Sequence, residues 1–151
     1  AKSIKQIKYH TCLRDVFKGI NNQQGDYIWL ISDFECNRYP KEIGHEDPMW
    51  IDGNSLSELI AKEDIQFIWG VLSGFSKEIC MADINAEIIP SIRENSAYWS
   101  LDRKTQHPQA EFEIGCVDSS MTVIISENEG IIQRFRSIYQ GCIDLNELIE
   151  S

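Results

Sequence analysis

Residues 110–126, AEFEIGCVDSSMTVIIS, read as a β-hairpin. Ala110, Phe112, Ile114 and Cys116 alternate with Glu111 and Glu113. Met121, Val123 and Ile125 alternate with Thr122 and Ile124 across a link, Asp118-Ser119-Ser120, of hairpin length. Successive strand residues point to opposite faces, so the apolar set faces a core and the two glutamates face solvent. An antiparallel pair of this kind, followed by a helical pattern, is the kernel of an α+β fold.

The helical pattern comes next. Ser126 and Glu129 have capping-box spacing. Ile131, Ile132, Phe135, Ile138 and Tyr139 form one stripe, and Gly141 suits a helix-ending position. Asp144 and Glu147 open a last short helix carrying Leu145, Leu148 and Ile149.

Upstream, Leu13, Val16, Phe17 and Ile20 recur at helical spacing, which predicts a helix over Tyr9–Ile20. Tyr27–Glu35 is rich in aromatic and β-branched residues and reads as a central strand. Cys36–Pro48 is a polar loop, Met49–Ile51 a short strand and Asp52–Asn54 a turn. A helix follows from Ser55, with Glu58 three residues on and Leu56, Leu59 and Ile60 on its apolar face. Ile65–Phe75 reads as a long buried strand with a bulge or close backbone approach at Gly70 and Gly74. Lys77–Glu94 fits neither the helical nor the strand period, and Tyr98–Leu101 is expected as an edge strand. The expectation is one α+β domain over residues 1–151, with helices packed on a mostly antiparallel sheet.

At 151 residues, 42% hydrophobic and 25% charged, the chain has the composition of an ordinary globular domain. No apolar run approaches the ~20 residues of a membrane helix, and Lys2, Lys5, Lys8 and Arg14 interrupt the first 20 residues where a signal peptide would be apolar. Cys12, Cys36, Cys80, Cys116 and Cys142 are odd in number and contain no C-x-x-C pair. They are expected to be free, mostly buried thiols in a cytoplasmic protein.

The net charge is −10. Residues 1–20 hold five cations against Asp15 alone, while 9 cations face 23 carboxylates in the remainder. So acidic a body disfavours nucleic acid as a ligand and favours a basic protein partner. No glycine-rich phosphate loop, G-x-S-x-G elbow or H-E-x-x-H pattern occurs. No cofactor is expected. Asp33 and Glu35 lie two apart at a strand end, and with His45 they are the one combination that suggests a metal-assisted enzyme. Aromatic residues among carboxylates suit a basic partner, which selects Glu46, Asp47, Trp50 and Asp52, then Glu111 and Glu113 on the hairpin, as partner-binding residues. A homo-oligomer built through the hairpin edge is the remaining alternative.

In size, acidity and aromatic content the chain resembles the small acidic immunity proteins with which bacteria neutralise their own toxins. The resemblance implies a non-enzymatic protein that covers a basic, nuclease-like partner. It carries no site residue across.

Overall fold

The computed structural model describes residues 13–100, 104–139, 142–145 and 147. The lysines at positions 2, 5 and 8, the first residues of the expected Tyr9–Ile20 helix, Leu101, Gly141, and positions 146, 148 and 149 of the expected final helix lie outside them.

Five strands form one antiparallel sheet in the order β2-β1-β3-β4-β5, with β1 Tyr27–Cys36, β2 Met49–Asp52, β3 Phe67–Ser76, β4 Phe112–Val117 and β5 Met121–Ser126. Among the described residues three α-helices accompany it: α1 Leu13–Lys18, α2 Gly53–Lys62 and α3 Glu129–Ile138. This is the α+β arrangement the sequence pattern predicts. The hairpin turns at Asp118 and Ser119, whose positive φ values of 47° and 58° give the primed turn that matches strand twist.

All three helices contribute to the main core on one face. Leu13, Val16 and Phe17 from α1, Leu56, Leu59 and Ile60 from α2 and Ile131 from α3 meet Trp29, Ile31, Leu72, Phe112 and Ile114 from the sheet. Gly74 leaves room for two aromatic rings to approach over the sheet. It pairs with Trp29 on one side and Phe112 on the other, and the two rings meet across it edge to face at 5.2 Å. A Cβ at Gly74 would stand 3.0 Å from Phe112 and 3.3 Å from Trp29.

The helix caps differ from the expected ones. Asp52, not Ser55, caps α2, its carboxylate accepting from the Ser55 amide and hydroxyl. Asn128, not Ser126, caps α3 through the Gly130 amide. Ser126 instead turns its hydroxyl to the Asn128 amide and the Glu111 carbonyl. In both places the cap is the residue immediately before the first helical one: α2 starts at Gly53, which puts Ser55 inside the first turn, and α3 starts at Glu129.

The other face of the sheet is not open to solvent. The described residues of the β3–β4 connection between 77 and 111 cross it with no α-helix or strand and with two short 3-10 turns, Met81–Asp83 and Ala97–Trp99. The second of these replaces the expected edge strand at Tyr98. Two small apolar clusters form beneath it. Val71, Ile92, Tyr98, Val123 and Ile125 make one, and Leu30, Phe75, Ile84 and Ala110 the other. A connection this long without regular structure needs its backbone tied down by other means.

Candidate functional site

Those ties are side chains, and two carboxylates from the sheet dominate them. Strand register sets a row of paired positions on the covered face: Trp50 on β2, Leu30 on β1, Ser73 on β3, Glu113 on β4 and Ile125 on β5. Glu113 and Ser73 are both fully buried. The Glu113 carboxylate accepts from the Tyr98 hydroxyl at 2.6 Å, the Gln106 amide at 2.5 Å, the Ser73 hydroxyl at 2.8 Å and the His107 amide at 3.1 Å. Four donors, two on each oxygen, satisfy the acceptor capacity that burial would otherwise leave empty. Burial and the Glu113 charge raise the Tyr98 phenol far above its ordinary range, so Tyr98 stays a donor.

This corrects the expected exposure of Glu113. Alternation places it on the face opposite the main core, as read. That face is covered, so Glu113 is a buried anchor and offers nothing to a partner. Buried His107 extends the anchor: its Nε2 contacts the Asn85 carbonyl at 2.9 Å and its Nδ1 accepts from the Gln109 amide at 3.2 Å. A carbonyl only accepts and an amide N–H only donates, so the ring is held as the Nε2–H tautomer. Gln106 and Asn95 bind Ser91, and Gln109 bridges Asp83 and Asn85, which closes the connection on itself.

Asp33 is the second anchor. A bulge between Ser32 and Glu35 breaks the β1–β3 register and puts Asp33 at φ 49°. Its carboxylate accepts from the Ile92 and Arg93 amides at 2.8 Å and pairs with the Arg93 guanidinium at 2.9 Å. Partial burial works to raise the Asp33 pKa, but the Arg93 and Ile92 amides and the Arg93 side chain reverse it, and the carboxyl titrates below its usual range. Ser32 adds a bond to the Pro90 carbonyl at 2.7 Å.

The bulge also bears on Asp33, Glu35 and His45. It interrupts the two-residue alternation on which a shared face for Asp33 and Glu35 depended, and Asp33 is already engaged by Arg93. His45 stacks on Tyr39 with centroids 4.5 Å apart. Among the described residues no group of three or more His, Cys, Asp or Glu side chains is placed to hold a metal ion.

The remaining partner candidates divide by what they already do. Asp47 accepts from the Asp33 and Phe34 amides, satisfying donors freed by the bulge. Asp52 caps α2, and the Ser55 hydroxyl and amide hold its carboxyl below the usual range. Glu111 accepts from Asn128 Nδ2, and burial together with the Glu111 charge pushes the Tyr27 phenol up to about 12. Glu46 is exposed. Trp50 is half-buried on edge strand β2, its ring 5.4 Å from Phe75.

Trp50 joins the Leu30–Phe75–Ile84–Ala110 cluster together with Ile79 from the start of the connection. Met81, two residues on, is 44% exposed, and Ile89 is 50% exposed. Glu78, Asp83 and Glu87 on the same stretch are exposed. The sequence singled out Trp50 but passed over Met81 and Ile89, because a stretch with no period does not reveal which apolar residues face out. Cys36 and Cys116 are buried, with the Cys36 thiol pushed up to about 12 by burial and the adjacent Glu35, while Cys80 is exposed. Among the described residues no helix is long and apolar enough to cross a membrane. Comparison with protein-family models, with curated proteins and with solved structures finds no match to this chain.

Proposed function

We propose that this protein is a non-enzymatic binding module. It engages a basic protein partner through the β2 edge and the adjoining start of the β3–β4 connection. The observation that carries the reading is the shared cluster of Trp50 and Ile79, with Met81 exposed beside it in sequence and Glu46, Glu78 and Asp83 exposed on the flanking segments. A half-buried tryptophan seated on Phe75 is a pre-ordered anchor that loses little side-chain entropy on binding. Exposed carboxylates on the flanking segments favour a cationic partner and speed the encounter. The net charge of −10 acts in the same direction, as does the resemblance in type to immunity proteins.

The test is affinity capture from the native cell at low and high salt, followed by binding measurements on the purified pair. Trp50→Ala is expected to weaken binding by ~30-fold, the cost of a hot-spot residue. Glu46→Lys with Asp83→Lys is expected to slow association and flatten its salt dependence, while Glu129→Lys at the start of α3 leaves both unchanged. A partner held equally at all salt concentrations, or one indifferent to Trp50→Ala in a folded variant, would overturn the proposal.

A further inference from the structure

Backbone direction decides what the β2 edge offers. The Gly74 carbonyl accepts from the amide of Glu111, the residue leading into β4, so the Gly74 backbone faces β4. In an antiparallel sheet the backbone N–H and C=O of successive residues point to alternate sides. Ser73 and Phe75 therefore face β1, where their partners are Leu30 and Ile28. Trp29 and Ile31 then face β2 and meet Ile51 and Met49. By the same alternation the N–H and C=O of Trp50 and the N–H of Asp52 point away from β1. The strand order ends at β2, so these groups lie on the outer edge of the sheet. Trp50 there is half-buried and Asp52 exposed.

Resting on the binding role proposed above, we infer that the basic partner docks by adding an extended strand to the β2 edge. An antiparallel strand whose residue lies opposite Trp50 exchanges two backbone bonds with it. Strand β2 spans Met49–Asp52 and α2 begins at Gly53, so the pairing is short and its register is fixed at Trp50. Charge selects the side chains of the added strand. Residues 46–52, EDPMWID, hold Glu46, Asp47 and Asp52 and no Lys or Arg. Alternation puts Trp50 and Asp52 on one face of β2 and Met49 and Ile51 on the other. A lysine or arginine on the first face gains a cation–π contact with Trp50 and an ion pair with Asp52. An apolar residue fits the second face, beside half-buried Met49. The matching segment therefore alternates cationic and apolar residues. The edge at β5 favours it less: Met121–Ser126 carries no carboxylate, and Arg136 lines the groove beside that strand.

The probe is a short peptide alternating lysine and valine, capped at both ends, beside the same peptide methylated on every backbone nitrogen. Each is titrated into the full chain, and amide hydrogen exchange is followed by NMR. The plain peptide is expected to bind, more weakly as salt rises, and at saturation to slow exchange of the Trp50 and Asp52 amides by at least ~10-fold while β5 amides keep their rates. The methylated peptide keeps the charges and loses the donors, so it is expected to bind at least ~10-fold more weakly. Equal binding of the two peptides, protection at β5 in place of β2, or no binding of the plain peptide would overturn strand addition. The binding role itself is read separately: a captured basic partner that depends on Trp50 keeps that role even when the peptides refute this mode of docking.

Discussion

Gly53→Ala separates what sequence and structure predict. Gly53 is the first residue of α2, and its φ lies outside the positive range that favours glycine. On helix propensity alone, alanine there gains up to ~1 kcal/mol. The packing says otherwise. A Cβ at Gly53 would stand 2.2 Å from the Gln24 carbonyl oxygen, 2.4 Å from the Tyr27 carbonyl oxygen and 2.8 Å from the Gly25 Cα. All three are backbone atoms and cannot rotate away. Relief requires the 3-10 turn Gln23–Asp26 to withdraw from α2 by about 1 Å to reach ordinary contact distance. The Gln24 carbonyl also accepts from the buried Trp29 indole at 2.9 Å, so the shift reaches the main core. Overpacking of this kind costs ~1–3 kcal/mol, and the upper end applies with two carbonyls struck at once. After the propensity gain the net loss is ~2 kcal/mol, or ~4–8 °C in a domain of this size. Urea unfolding followed by tryptophan fluorescence measures it. Gly130→Ala in α3 is the comparator, because its Cβ would meet only the Asn128 side-chain oxygen, at 3.1 Å. That variant is expected within ~0.5 kcal/mol of wild type. A Gly53→Ala protein as stable as wild type, or a Gly130→Ala protein equally damaged, would refute the reasoning.

Glu113→Ala, which strands four donors in a fully buried site, is expected to lower stability by at least ~3 kcal/mol, with Glu113→Gln less damaging because its carbonyl still accepts; matched urea curves give the order. The folded Asp33 pKa lies below its unfolded value, so its stabilisation is complete above the usual carboxylate range and is lost as pH falls below ~5. Asp33→Asn, which tolerates the same backbone conformation, should therefore show a shallower loss of urea midpoint in acid than wild type. Native-state thiol labelling with peptide mapping should modify Cys80 rapidly and leave Cys36 and Cys116 protected until unfolding, since both are buried and burial raises both thiols.

How far the strands were legible depends on how local their signal is. Strands β1, β3, β4 and β5 follow from runs of β-branched and aromatic residues, and α3 from its stripe. The local capping readings were wrong at both α2 and α3 because several oxygens lie within reach of the same amides, and backbone geometry alone selects among them. The site was less legible. Glu113 reads as a surface residue because alternation reports which face a side chain takes, not what covers that face. Its donors Ser73, Tyr98, Gln106 and His107 carry no shared spacing that a sequence pattern could detect.

The α+β class, the strand and helix segments nearest the main core, and the acidic charge are all readable along the chain. All of these follow from local periodicity and composition. Only tertiary packing brings Ile84, Ile92, Tyr98 and Ala110 over the second face of the sheet. That arrangement buries Glu113, engages Asp33 with Arg93 and joins Trp50 to Ile79 in one cluster. The reason is physical. An irregular connection is held by side-chain contacts between residues far apart in the chain, and such contacts exist only once the sheet has brought their partners together.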